Sequence, residues 1–180
     1  MTRFLHALLT GLVGAGIVHI AILFLLPVFA EKDAWARLAE TGEPYHVVRL
    51  DHANPSLGML TSPDPFFEAV ACRFDLSDGA LHLVGEGRIP FWSISVYDRR
   101  GLNIYSLNDR TATGDALDFV VVTPAQMLTM RKEVPAEFTQ SIFVEADLTE
   151  GIVVMRAFVP DESWREVVST YLNGISCTSR

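Results

Sequence analysis

The densest polar chemistry in this 180-residue chain lies in two short runs, Asp98-Arg99-Arg100 and Asn108-Asp109-Arg110. An arginine beside an amide, as Arg110 is beside Asn108, can grip a carboxylate or sulfate through a planar fork of N–H donors. The bland alternative ties Arg110 to backbone carbonyls or a neighbouring carboxylate at a loop corner. Gln126 and Arg156 are the further side chains that could converge with Asn108 and Arg110 on one cleft. Arg73 and Arg156 both sit inside apolar strand-like runs. Such positions face solvent by alternation, and an inward arginine would require a carboxylate, for which Asp75 and Asp118 are candidates. His46 and His52 share a strand face, but six residues of strand rise set them ~20 Å apart, too far for one ion. We therefore expect no metal site and no cofactor. No G-x-S-x-G elbow, phosphate loop, G-x-G-x-x-G turn or H-E-x-x-H helix occurs, so the reading leans away from an enzyme.

These residues are positioned by a series of short strands. The pattern predicts strands over Tyr45–Leu50, Val70–Leu76, Leu81–Val84, Phe91–Tyr97, Asn103–Leu107, Leu117–Thr123, Ser141–Ala146 and Gly151–Val159. Ser77-Asp78-Gly79 and Asp98-Arg99-Arg100-Gly101 read as hairpin turns. The apolar run from Leu117 suits a strand covered on both faces. Thr123-Pro124-Ala125-Gln126 has the form of a capping box opening a helix to about Lys132. Asp161 is placed to cap a second helix over Glu162–Leu172, with Trp164, Val167, Val168 and Tyr171 on its apolar face and Asn173-Gly174 as its stop. The expected fold is mainly β: an antiparallel sandwich or jelly-roll with two or three short helices.

Ahead of this body, Ala7–Ala30 carries no charge, long enough for a helix to cross a ~30 Å hydrocarbon core. Arg3 precedes it, which keeps the N-terminus inside and residues after 30 outside. A cleaved signal peptide is the other reading, but the run exceeds the ~7–15 residues of an ordinary signal core. The expected organisation is an anchor over 1–30, a stalk over 31–44 capped by Asp33 and ended by Gly42, and an extracytoplasmic β-rich domain over 45–180. Ala7, Gly11, Ala15 and His19 recur every fourth residue, a stripe on which two membrane helices can associate, while Pro27 marks the exit.

Charge narrows the partners. There are 14 Lys and Arg against 22 Asp and Glu. Setting Arg3 aside with the anchor leaves 13 against 22, about −9 for the body, which repels nucleic acid. Cys72 and Cys177 form an even pair in an oxidising compartment and read first as a disulfide, with free buried thiols as the alternative.

The Asp33-Ala34-Trp35 start, Cys72-Arg73-Phe74-Asp75-Leu76, Phe91-Trp92-Ser93 through Tyr97-Asp98, Ser106-Leu107-Asn108-Asp109-Arg110, Gln126, Arg156 and Cys177 together carry a resemblance. The chain resembles short membrane-anchored alphaproteobacterial relatives of the uncharacterised domain families numbered 1254 and 1214. That resemblance implies a β-rich sandwich on a single-pass anchor in a bacterial inner membrane, its body periplasmic. It also implies a partner, either a related anchored protein or a larger membrane complex. It carries no catalytic residues over. Two functions follow as expectations: a partner-binding accessory subunit of the cell envelope, or a small-molecule binder or hydrolase built on Asn108, Arg110, Gln126 and Arg156.

Overall fold

The computed structural model describes residues 2–51, 57, 64–112 and 116–180. One helix, α1, runs unbroken over Thr2–Thr41. Its stretch Thr2–Leu26 has mean hydropathy 2.3 and is entirely exposed, so it is apolar and long enough to cross a membrane. The separate stalk helix capped by Asp33 does not exist, because the backbone continues through both Pro27 and Asp33. A proline removes one intrahelical bond and clashes with one carbonyl, which a long helix can absorb. The good helix formers that follow, Ala34 to Glu40, then carry the helix on until Gly42. The stripe of Ala7, Gly11, Ala15 and His19 lies in the exposed part of α1, and a methyl group built on Gly11 would meet nothing within 4 Å.

The remainder is mainly β, in two sheets. Strands β1 (Val47–Arg49), β2 (Phe67–Asp75), β3 (Leu81–Gly85), β4 (Trp92–Asp98), β5 (Asn103–Asn108) and β6 (Leu117–Val122) come first. Helix α2 (Pro124–Met130), β7 (Ile142–Glu145), β8 (Glu150–Phe158), α3 (Arg165–Asn173) and β9 (Ser176–Ser179) complete the body. One sheet has the order β1-β2-β8-β4-β5 and the other β7-β6-β3-β9. Alternation is clean on β4, where Trp92, Ile94 and Val96 are buried and Ser93 and Ser95 face outward. The inner faces of both sheets meet in a single core that includes Phe74, Ile94 and Met155 from one and Leu83, Phe119 and Val144 from the other. Cys72 on β2 and Cys177 on β9 are joined across that core, with Cα atoms 6.7 Å apart.

The strand arrangement differs from the sequence reading in the β2–β3 hairpin, in one parallel pair and in a ninth strand. β2 and β3 are not a hairpin: the Ser77-Asp78-Gly79 turn passes the chain from one sheet to the other. Gly79 (φ +143°) is required there, since a Cβ would sit 2.5 Å from the Arg180 carbonyl oxygen. β7 and β8 likewise belong to different sheets. β7 runs parallel to β6, so the sandwich is antiparallel except for this pair. The intervening α2 supplies the crossover that a parallel neighbour needs. β9 has no counterpart among the predicted strands, because Ser-Cys-Thr-Ser shows no apolar alternation.

The expected caps are present, one on α2 and one on the 3-10 turn that leads into α3, while α3 itself has Trp164 at its N-cap and no side-chain cap. Thr123 and Gln126 form the full capping box, and the Asp161 side chain accepts from the Ser163 N–H. Those bonds from the Ser163 hydroxyl and amide hold the Asp161 carboxyl below its ordinary range. The apolar face of the C-terminal helix is corrected, however. Val168, Tyr171 and Leu172 are buried, while Trp164 and Val167 are 38% and 46% exposed. The first turn, Glu162–Trp164, is a 3-10 turn. Its three-residue period shifts the helical phase by the time the α-helix begins.

Candidate functional site

Of the four side chains expected at one cleft, two share a row. Ser93 on β4 pairs with Asn108 on β5 and with Arg156 on β8, so the three cross the outer face of the five-stranded sheet side by side. Ala69 on β2 continues that row beyond Arg156. Asn108 also caps the 3-10 turn Asp109–Thr111, its side chain accepting from the Arg110 N–H at 3.1 Å. Arg110 itself is exposed.

Gln126 does not join them. Its carbonyl oxygen accepts from the Thr123 N–H at 2.8 Å and its amide donates to the Leu76 carbonyl at 2.8 Å. Leu76 follows Asp75, which pairs with Glu150, six residues along β8 from Arg156. Strand rise therefore separates Gln126's anchor from the Asn108–Arg156 row by ~20 Å. The side chain is spent on holding α2 to the end of β2.

The other polar groups are mostly structural. His82 and the Ser141 hydroxyl both bond the same carboxylate oxygen of Asp118, at 2.9 and 2.6 Å. A Ser–His–Asp set for acyl transfer needs the serine hydroxyl on the imidazole, and here it donates to the aspartate instead. The His82 ring is also closed off edge-on by Phe138 at 5.0 Å. Asp118 is thus not an arginine's partner, and the Asp75 side chain is taken up by Ser77. Among the described residues no group of three His, Cys, Asp or Glu could hold a metal ion. His52 lies outside the described residues, so the His46–His52 spacing is not observed. Burial raises the Asp98 carboxyl, but the Leu102 N–H and the Arg100 guanidinium and N–H outweigh it and leave Asp98 below the ordinary carboxylate range. This knots the turn between β4 and β5.

Sequence reasoning missed how the end of α1 docks on the outer face of the five-stranded sheet. Trp35 is flanked by two guanidinium groups, Arg73 at 5.1 Å and Arg99 at 5.4 Å from its ring centroid. Arg73 donates to the Gly42 carbonyl at 2.6 Å, and Arg99 pairs with Glu150 at 2.7 Å. Leu38 is buried with Ala71, Ile152 and Leu57. Between this helix end and the sheet remains a cavity of about 240 Å³ lined by Ala34, Leu38, Ala69, Ala71, Val154 and Arg156, among others. The alternate outward alanines of β2 are the sequence signal for it: each leaves a gap where a larger side chain would touch α1.

Two further features stand apart. A groove beside α3 is bordered by Glu86, Gly87 and Glu166 and by Tyr171. The Tyr171 hydroxyl is buried with no hydrogen-bond partner among the described residues, and burial pushes its pKa up to about 12. β5 is an edge strand with Asn103, Ile104, Tyr105 and Ser106 all exposed. It holds no charged residue and no proline, the usual devices that blunt a free edge.

A family model described as a protein of unknown function (DUF1254) matches residues 53–179. No curated protein matches the chain. Among solved structures, the VPA0106 protein from Vibrio parahaemolyticus is similar at 14% identity and a TM-score of 0.51, over 64% of this chain and 28% of that one. An uncharacterised protein from Burkholderia cenocepacia is similar at 11% identity and a TM-score of 0.46, over 74% of this chain and 34% of that one. The likeness is one of fold, and the chain spans about a third or less of the length of either structure.

Proposed function

The chain belongs to the DUF1254 family of proteins of unknown function, and from that premise we propose that it is a membrane-anchored accessory subunit of the cell envelope. In this reading the sandwich lies outside the cytoplasm and binds a second β-rich domain, a relative of the type numbered 1214, along the free edge of β5. The body performs no chemistry of its own. The anchor reading is supported by the exposed apolar stretch Thr2–Leu26, and the oxidising side of the membrane by the Cys72–Cys177 bridge.

The observation that carries the proposal is β5 itself. An uncharged edge strand with Ile104 40% and Tyr105 44% exposed offers a row of backbone groups beside apolar contacts, and a strand from a partner would satisfy both. A photocrosslinking residue at position 105 should capture one discrete partner in native membranes. Ile104→Lys should abolish that capture while the melting temperature moves by no more than ~2 °C, since the site is exposed. A monomeric particle with no adduct at position 105 would overturn the reading.

A further inference from the structure

The cavity beneath the end of α1 has a composition that selects its occupant. Apart from the Tyr97 phenol, Arg156 is the only polar side chain among the described residues of a lining otherwise made of apolar residues and glycine. Arg156 is exposed and makes no hydrogen bond or ion pair with any described residue. In a chain of net charge −8, most of the surface repels an anion, so an uncommitted guanidinium at the rim of an apolar hole is the place where one can bind. A small inorganic anion would use the guanidinium and leave the hole empty. A neutral hydrocarbon would fill the hole and ignore the guanidinium.

We propose that this cavity binds a single-chain carboxylate amphiphile, a fatty acid, with its tail between α1 and the alanines of β2 and its head on Arg156. At ~30 Å³ for each water-sized group, 240 Å³ accommodates about eight, a medium-length chain. The floor is made deep by Ala69 and Ala71 on β2, and Leu38 closes it from above. Arg156 reaches the head from β8, where its Cα partner on β2 is Ala69, itself part of the cavity lining. The source of the fatty acid follows from α1. Ala34 lies four residues beyond Ala30, the last residue of the uncharged run, about 6 Å along a continuous helix, which places the cavity beside the headgroup layer. This source rests on the anchored reading proposed above, whereas the cavity and its guanidinium do not.

The test is binding of radiolabelled decanoate to the full chain in phosphatidylcholine nanodiscs, with empty discs subtracted. Saturable binding of one decanoate per chain is expected. Butyrate, six methylenes shorter at roughly fourfold each, should show none. Arg156→Gln should weaken decanoate at least tenfold and leave decanol unchanged, with Arg156→Lys restoring part of the loss. Ala71→Leu should remove decanoate and decanol alike. Should that buried variant fail to fold, the exposed Arg156 series decides alone. Absence of saturable decanoate binding, or equal decanoate affinity in the Arg156→Gln protein, overturns the proposal. Ile104→Lys on β5 should leave decanoate binding intact, so failure of the partner reading and failure of this one are seen separately.

Discussion

Tyr171 is buried at 6% exposure, yet its hydroxyl has no hydrogen-bond partner among the described residues. A Cβ built on Gly85 would lie 2.7 Å from that oxygen, so the glycine is what lets the phenol fit. Removing a buried hydroxyl that bonds nothing relieves a desolvation cost without losing a bond. Tyr171→Phe should therefore be as stable as the parent or up to ~1 kcal/mol more stable in urea denaturation. The pH dependence has a definite sign. The folded pKa is raised from 10.0 to about 12, so the neutral phenol's contribution is complete below pH 10 and is lost as pH rises towards 12. Parent and Tyr171→Phe stabilities compared at pH 9 and 12 should diverge, the parent losing more. None of this was legible in the sequence, where Tyr171 is one more apolar position of a helix. Arg156 was read both as a strand arginine and as a side chain that could join Asn108, with which it shares a row across Ser93. What sets it beside Asn108 is a β8-β4-β5 register that no local spacing encodes.

At the scale of elements, the caps at Thr123 and Asp161, whose bonds close within one turn, were read correctly, whereas the cap expected at Asp33 was not. The Thr123–Gln126 box is the clearest case, because both bonds are closed inside one turn. Gln126 has a second role that the motif does not reveal, its amide on the Leu76 carbonyl. Gln126→Ala should thus cost more than an ordinary cap, about 1–2 kcal/mol in chemical denaturation, whereas a purely local cap would give the lower figure. The eight predicted strands were placed to within three residues at each end, because alternation is a local property. Strand partners were not. Ser77-Asp78-Gly79 says that the chain reverses, and it does, but turn chemistry cannot say whether the next strand joins the same sheet or the facing one. The same blindness hid β9, whose place is decided by its pairing with β3 and by Cys177.

Across the whole molecule, the Cys72–Cys177 bridge closes a separation of 105 residues and ties the two sheets at β2 and β9. Chain-entropy reasoning assigns such a closure up to ~4–5 kcal/mol, and losses on removal are typically ~2–5 kcal/mol. The Cys72→Ser/Cys177→Ser double variant should unfold at clearly lower urea, and expression confined to a reducing cytoplasm should give the same weakened protein. A variant with the parent's midpoint would mean that the core alone holds the sheets together. The mainly β class, the N-terminal apolar helix and the cysteine pairing were all readable, since each depends on composition or on simple counting. The docking of α1 onto the sheet was not, because Trp35, Arg73 and Arg99 lie far apart in sequence and meet only in the fold.

That docking has a mechanical consequence. With Trp35 held against two arginines of the sheet and no break between Thr2 and Thr41, rod and sheet turn together like a key and its bow. Rotation of the rod about its own axis would swing β5 through the same angle. If the apolar stretch Thr2–Leu26 sits in a bilayer, the azimuth of that edge is then set by how the rod is oriented there.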